Sequence, residues 1–138
     1  MPSPVEPSIL LVCTRCRATG ADQDIPRAGA ALLAATRRAA RDRADLRVAG
    51  VACLSGCKRA CAAAIMAPGK VGYLFGGLPA DAGGATDLRA VAWAHAAGAN
   101  GLLPRTDRPG RLRAGILARL PLLHGAPTNP EDVIAWPA

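Results

Sequence analysis

Short apolar runs alternate with longer amphipathic stretches along the chain, a pattern that predicts an α/β fold. Continuous apolar runs bounded by turn residues are typical of buried strands. Three such runs occupy residues 9–12, 62–66 and 71–75, and residues 46–51, which include Arg47, are predicted to form a further strand. Helical periodicity marks residues 26–43, 87–97 and 111–120. We expect Asp24 to be the N-cap of the first helix, Thr86 or Asp87 to begin the second, and Gly98 to end it.

The order of these elements predicts a βαβ unit followed by a ββα unit, which is the arrangement of a thioredoxin-like domain. A strand–helix–strand crossover makes the first two strands parallel, and the turn at 67–70 favours an antiparallel hairpin for the next two. The predicted fold is a mixed four-stranded sheet with flanking helices, formed by residues 9–122. Residues 1–8, with three prolines, are predicted to be a loose lead-in, and 123–138 a C-terminal tail.

Composition narrows the possible partners. The 138-residue chain is 51% apolar and carries a net charge of +7, so it should fold as one domain and attract acidic partners. Nucleic-acid binding is disfavoured because only 3% of residues are aromatic and the arginines are scattered from Arg15 to Arg119. The chain shows neither a secretory signal nor an apolar run long enough to span a membrane, which predicts a cytoplasmic protein.

The five cysteines carry the strongest chemical signal. Cys13 and Cys16 form a C-x2-C pair, whereas Cys53, Cys57 and Cys61 follow a C-x3-C-x3-C repeat. In a reducing compartment, paired cysteines more often bind metal or perform redox chemistry than form structural disulfides. Each group follows a strand, and the carboxyl ends of neighbouring parallel strands lie side by side. The two groups are therefore predicted to form one site for an iron–sulfur cluster or a soft cation.

Two families resemble this sequence. The segment Cys53–Cys57, the following strand and Pro68 to Leu74 resemble the second half of the thioredoxin-like [2Fe-2S] ferredoxins. Across residues 9–122, the chain also resembles a bacterial family of small predicted metal-binding proteins associated with cobalamin synthesis. The segments 13–17, 53–61, 69–78 and 108–121 carry that second resemblance.

The ferredoxin resemblance implies that Cys13 and Cys16 form one ligand pair and that Cys53 and Cys57 form the other. The first pair is more tightly spaced than in typical members of that family. Cys61 stands where those ferredoxins usually have proline. We interpret Cys61 as a spare buried thiol, with the alternative that it replaces Cys16 or Cys57 as a ligand.

The resulting functional hypothesis is a non-enzymatic iron–sulfur electron carrier that serves cobalamin synthesis. Arg15, Lys58 and Arg59 are predicted to form a basic rim that docks an acidic redox partner. Two alternatives remain open: a four-cysteine zinc or cobalt protein, and a thiol oxidoreductase that uses Cys13 and Cys16. The sequence also leaves open whether the protein forms a homodimer.

Overall fold

Five strands form one mixed sheet in the order β2-β1-β3-β4-β5. The strands are β1 (Ser8–Cys13), β2 (Leu46–Val51), β3 (Ala63–Met66), β4 (Gly72–Phe75) and β5 (Ile116–Leu120). β1 and β2 are parallel, and every other neighbouring pair is antiparallel. The computed structural model describes residues 7–17, 27–121, 131 and 136, without the side chain of Cys57. The predicted lead-in and tail fall largely outside these residues, although Ser8 already belongs to β1.

In the described part of the chain, three α-helices accompany the sheet: α1 (Ala28–Ala39), α2 (Ala82–Ala97) and the short α3 (Gly110–Ala114). Single 3-10 turns occur at Cys57–Arg59 and Arg105–Asp107. α1 and α2 pack against each other and against β1 and β2. Among the described residues, no helix is long and apolar enough to cross a membrane.

The core lies between the sheet and these two helices, and the alternation along β1 defines it. Leu10 and Val12 are fully buried, whereas Ile9 points to the opposite face and is 36% exposed. Leu10 lies between Val48 of β2 and Ile65 of β3. A one-residue slip of β1 would move its buried side chains to the exposed face, so burial sets the register.

α1 is shorter than the periodicity predicted. It begins at Ala28 instead of Pro26 and ends at Ala39, not near Arg43. Arg27 occupies the N-cap position without a capping side-chain hydrogen bond, so the helix does not start from Asp24, which lies outside the described residues. Leu32 and Leu33 are buried on its inner face as predicted. Tertiary packing sets its ends because no strong capping residue does.

α2 begins five residues before the predicted start at Asp87. Asp81 is the N-cap, and its carboxylate accepts hydrogen bonds from the N–H groups of Gly83 and Gly84 at 2.9 and 3.2 Å. A Cβ atom at Gly84 would lie 2.0 Å from the Pro79 carbonyl oxygen, so the glycine permits a close backbone approach. The two glycines therefore fit the first turn of the helix, although their sequence pattern suggests a loop.

The helix predicted over residues 111–120 is wrong for its second half. α3 ends at Ala114, and Gly115 leads into β5, which pairs with β4. Glycine inside a helix costs about 1 kcal/mol relative to alanine, while the open edge of β4 offers unpaired backbone groups. Edge pairing therefore outweighs the amphipathic pattern, and the sheet has five strands instead of four.

A buried histidine ties the start of β1 to α2. His95 is fully buried; its Nδ1 lies 2.9 Å from Ser8 Oγ and its Nε2 lies 2.7 Å from the Val71 carbonyl oxygen. A carbonyl can only accept, so Nε2 carries the proton and Nδ1 accepts from Ser8. Lys70 donates to the carbonyls of His95 and Ala96 and thereby caps the C-terminus of α2.

The stability of the apo protein should fall below neutral pH because of His95. Burial lowers the pKa of His95, the charge of Lys70 acts in the same direction, and the hydrogen bond to Val71 only partly opposes them. The unfolded chain therefore takes up a proton near pH 6.5 while the folded protein does not, so stability declines as the pH falls from there, by at most about 1.4 kcal/mol per pH unit. Urea unfolding between pH 5 and 7.5 measures this decline. His95→Gln should flatten it, and an unchanged slope in that variant would contradict the assignment.

Candidate metal centre

The site lies where β1 and β2 end. Cys13 pairs with Val51 at the carboxyl ends of the two parallel strands. Immediately beyond, the N–H and hydroxyl of Thr14 both donate to the Val51 carbonyl, at 2.9 and 3.2 Å. The loop that carries Cys13 and Cys16 is therefore fastened beside the start of the segment that carries Cys53, in the juxtaposition that parallel pairing predicts.

Three thiols are buried together at this end of the sheet. Cys13 and Cys16 are 1% exposed, Cys61 is 3% exposed, and all three belong to the hydrophobic core cluster. Cys53, in contrast, is exposed. The structure therefore joins Cys61 to the first pair and leaves Cys53 at the surface.

Ala62 fastens the two halves of this thiol group. Its carbonyl accepts a hydrogen bond from the N–H of Cys13 at 3.0 Å. Its own N–H donates to the sulfur of Cys16 at 3.2 Å. One residue thus bonds both members of the C-x2-C pair, which holds the neighbouring Cys61 against them.

Among the three buried thiols, Cys13 is the one whose thiolate form is favoured. Burial alone would raise its pKa, but hydrogen bonds from the N–H groups of Leu54, Arg15 and Cys16 outweigh burial, and the Cys16 thiol also donates. The net result is a pKa below the ordinary value of a thiol. Since the thiolate is the form that binds metal, Cys13 is prepared as a ligand in the folded protein.

The other two buried thiols are held in their protonated form. Burial raises the pKa of Cys16 to about 12, and the neighbouring sulfurs of Cys13 and Cys61 add to the shift against the Ala62 hydrogen bond. Burial and the charge of Cys13 also raise the pKa of Cys61. A cation that binds here must displace these protons, so binding should release protons and strengthen as the pH rises.

The predicted second ligand pair is placed differently from the first. The sulfur of Cys53 accepts a hydrogen bond from the Ser55 N–H at 3.2 Å, at the protein surface. The next residue, Leu54, donates its N–H to Cys13, so the loop touches the thiol group through its backbone. The backbone of Cys57 starts the 3-10 turn Cys57–Arg59, while its side chain lies outside the described part of the structure.

The donor chemistry of the group fits a soft metal or an iron–sulfur cluster. Thiolates are the ligands that such centres use, and backbone N–H groups directed at sulfur are the usual surroundings of those ligands. Within residues 7–17 and 27–121, no three His, Cys, Asp or Glu side chains already surround one position for an ion. The thiols Cys13 and Cys16 could hold such a group together with further cysteines from residues 53–61.

The predicted basic rim lies at the solvent side of this region. Arg15, Lys58 and Arg59 are all exposed. The carbonyl of Arg15 accepts a hydrogen bond from the guanidinium of Arg27 at 2.8 Å, which links the Cys13–Cys16 loop to the start of α1. Charged groups here flank the thiols in sequence while remaining available to solvent.

Sequence reasoning missed the backbone contributions of Leu54 and Ala62. Their side chains carry no polar group, so only the folded path of the chain directs their N–H groups at sulfur. It predicted that Cys61 is buried, but not that Cys61 lies near Cys13 and Cys16. The regular C-x3-C-x3-C spacing was the one available signal, but spacing does not reveal which of three thiols faces inward.

The fold and the site define a small α/β protein with a buried cysteine cluster at one end of a mixed sheet. Residues 10–122 match the family model described as protein of unknown function (DUF1636), and the chain belongs to that family. No curated protein and no solved structure matches the chain.

Gly29 should be essential for the position of the first cysteine pair. Its N–H donates to the Cys16 carbonyl at 3.0 Å, and an added Cβ would lie 2.0 Å from the Cys13 carbonyl oxygen. Because that neighbour is backbone, Gly29→Ala should force the loop away from α1. We expect the free energy of unfolding to fall by about 1–3 kcal/mol.

Chemical denaturation of the apo protein measures the loss in free energy of unfolding. Metal titration reports the displacement of the loop. Gly110→Ala is the matched control, since a Cβ there meets no atom within 4 Å. Equal stability of the two variants would refute the close approach at Gly29.

Proposed function

We propose that this protein is an iron–sulfur electron carrier whose centre is held by cysteine thiolates. The observation that carries the proposal is the burial of Cys13 and Cys16 beside Cys61, with the Ala62 N–H donating to the Cys16 sulfur at 3.2 Å. Such donors stabilise negative charge on ligating sulfur and tune the potential of a bound cluster. Cys13 and Cys16 supply the first ligand pair, and the segment with Cys53 and Cys57 supplies the rest.

A [2Fe-2S] cluster would supply one-electron redox chemistry, and the chain would set the conditions for it. Four thiolates give the oxidised centre a net charge of −2 and the reduced centre −3. Arg15, Lys58 and Arg59 add positive charge beside the ligands, which favours the more negative reduced state. The burial of Cys13 and Cys16 keeps water from the inner side of the centre.

The architecture supports a thioredoxin-like assignment within this proposal. The order β2-β1-β3-β4, with one parallel and two antiparallel pairings, is what a βαβ unit joined to a ββα unit produces. β5 extends that arrangement at one edge. From the resemblance to proteins associated with cobalamin synthesis, we propose that the electrons serve the reduction of cobalt.

The proposed compartment is the cytoplasm. The four cysteines whose side chains are described, Cys13, Cys16, Cys53 and Cys61, are all free thiols. Free thiols remain reduced most readily in a reducing compartment. An acidic redox protein of the same compartment is the proposed partner.

Thiol–disulfide exchange is a second candidate, and a specific observation favours it. The pKa of Cys13 is lowered while that of Cys16 rises to about 12, an asymmetry suited to one attacking and one resolving thiol. Against it, Cys13 is only 1% exposed, and attack requires access to a disulfide. α1 also begins at Ala28, so the pair does not sit at the helix N-terminus where such motifs gain their reactivity.

Anaerobic purification should yield a coloured protein with about two irons and two sulfides per chain. Visible absorption, iron and sulfide analysis, and electron paramagnetic resonance after reduction measure this. Cys13→Ser should abolish the signal because it removes the best-stabilised ligand. A colourless protein with one zinc would replace the proposal by the four-cysteine zinc alternative. A metal-free protein that reduces small disulfides through Cys13 would favour the oxidoreductase.

Charge reversal of the rim should change electron exchange in a charge-dependent way. In the variant with Arg15, Lys58 and Arg59 all replaced by Glu, oxidation of the reduced protein by the anion ferricyanide should slow by about tenfold at low salt. Oxidation by the cation hexaamminecobalt(III) should not slow. Stopped-flow absorbance measures both rates, and high salt should reduce the difference.

The matched control reverses Arg37, Arg38 and Arg41, which are exposed at the other end of α1 and change the net charge equally. Equal slowing in the control would mean that net charge alone steers the oxidant. That result would refute a docking role for the rim.

A further inference from the structure

Backbone hydrogen bonds hold the segment around Cys61 against a second segment of the chain. Its N–H donates to the Leu78 carbonyl at 3.1 Å, and its carbonyl accepts from the Leu78 N–H at 3.2 Å. One step along, the Gly77 N–H donates to the Arg59 carbonyl at 2.7 Å. Residues 59–61 are therefore held along residues 77–78, which fixes the backbone position of Cys61.

The Cys61 side chain is buried near the other two buried thiols. Cys61 is 3% exposed, and it lies close enough to Cys13 and Cys16 for charge on one sulfur to affect the others. Its neighbour Ala62 bonds both Cys13 and the sulfur of Cys16. Three thiols from two separate segments are thus buried in the same region of the core.

A path from solvent leads to this group at Cys61. A groove of about 400 Å³ is lined by Cys61 together with Ala28, Ala60, Leu78, Pro79 and Arg111. Arg111 is held by Asp87, with Nε 2.7 Å from the carboxylate. A metal site needs both convergent ligands and an entry path, and small side chains along this groove provide the path.

Cys53 differs from Cys61 in each of these respects. It is exposed, its sulfur accepts a hydrogen bond from Ser55 of its own loop, and the loop reaches the buried thiols through the N–H of Leu54. A thiol at that position can complete a centre from the solvent side but cannot form its inner wall.

We propose that Cys61 is a ligand of the metal centre, and that the centre is asymmetric. Cys13, Cys16 and Cys61 form its buried side, and a cysteine of the 53–57 loop forms its solvent-facing side. This inference rests on the proposed metal-binding function and changes its ligand set, because the family resemblance assigns the second pair to Cys53 and Cys57. The solvent-facing thiol is then the exchangeable ligand, and the buried three retain the group.

Two substitutions at Cys61 test the inference in the apo and reconstituted protein. Cys61→Ser preserves size and Cys61→Val preserves apolar packing, so a thiol with only a packing role tolerates at least one of them. Far-UV circular dichroism and urea unfolding of the apo variants establish that each is folded. After anaerobic reconstitution with iron and sulfide, each variant should retain about one tenth of the wild-type iron content or less. Cys53→Ser, in the exposed loop, should lose iron faster on dilution into chelator than the wild type does.

The outcomes separate the two proposals. If the wild type takes up iron and sulfide and folded Cys61→Val takes up the same amount, Cys61 is a spare thiol and this inference is overturned. If the wild type takes up no iron but binds one zinc, the electron-carrier proposal fails, and the same variants titrated with zinc still decide the role of Cys61. Loss of zinc in both folded variants would support ligation by Cys61, whereas normal zinc binding in either would overturn it.

Discussion

The structure depends on the position of β1 in the sheet. β1 pairs with β2 on one side and β3 on the other, so its last residue, Cys13, lies where both neighbours can reach it. β2 delivers the segment that begins at Cys53, and the residues just before β3 deliver Cys61 and Ala62. Backbone hydrogen bonding, which must be satisfied throughout the interior of the sheet, is therefore what assembles cysteines that lie up to 48 residues apart in sequence.

Although the chain has a net charge of +7, negative charge on its three buried cysteines is costly. Removing thiolates from water is costly, and Cys16 and Cys61 respond by holding their protons. The pKa of Cys13 is lowered instead, because hydrogen bonds from the N–H groups of Leu54, Arg15 and Cys16 and from the Cys16 thiol outweigh its burial. A cation bound among the three sulfurs would relieve the desolvation of all of them, since it supplies the positive charge that the buried site lacks.

Several elements were predictable because local pattern and tertiary environment agree. The apolar runs became β1 to β4, and the inward face of α1, with Leu32 and Leu33, is the face that its periodicity indicates. Prediction failed where a long-range partner outweighed the local pattern. The edge of β4 turned residues 116–120 into a strand, and the approach of Pro79 made Gly84 a helical residue.

The sequence by itself determined that the protein has an α/β fold, that its first two strands run parallel, and that two groups of cysteines follow those strands. It did so because hydrophobic period and the handedness of a crossover are local properties. Only the tertiary structure decided which of the thiols lie together and which is exposed. The inward position of Cys61, the outward position of Cys53, and the N–H donors of Leu54 and Ala62 all depend on how one segment lies against another. Residue spacing does not encode that arrangement, because it arises from backbone contacts between distant parts of the chain.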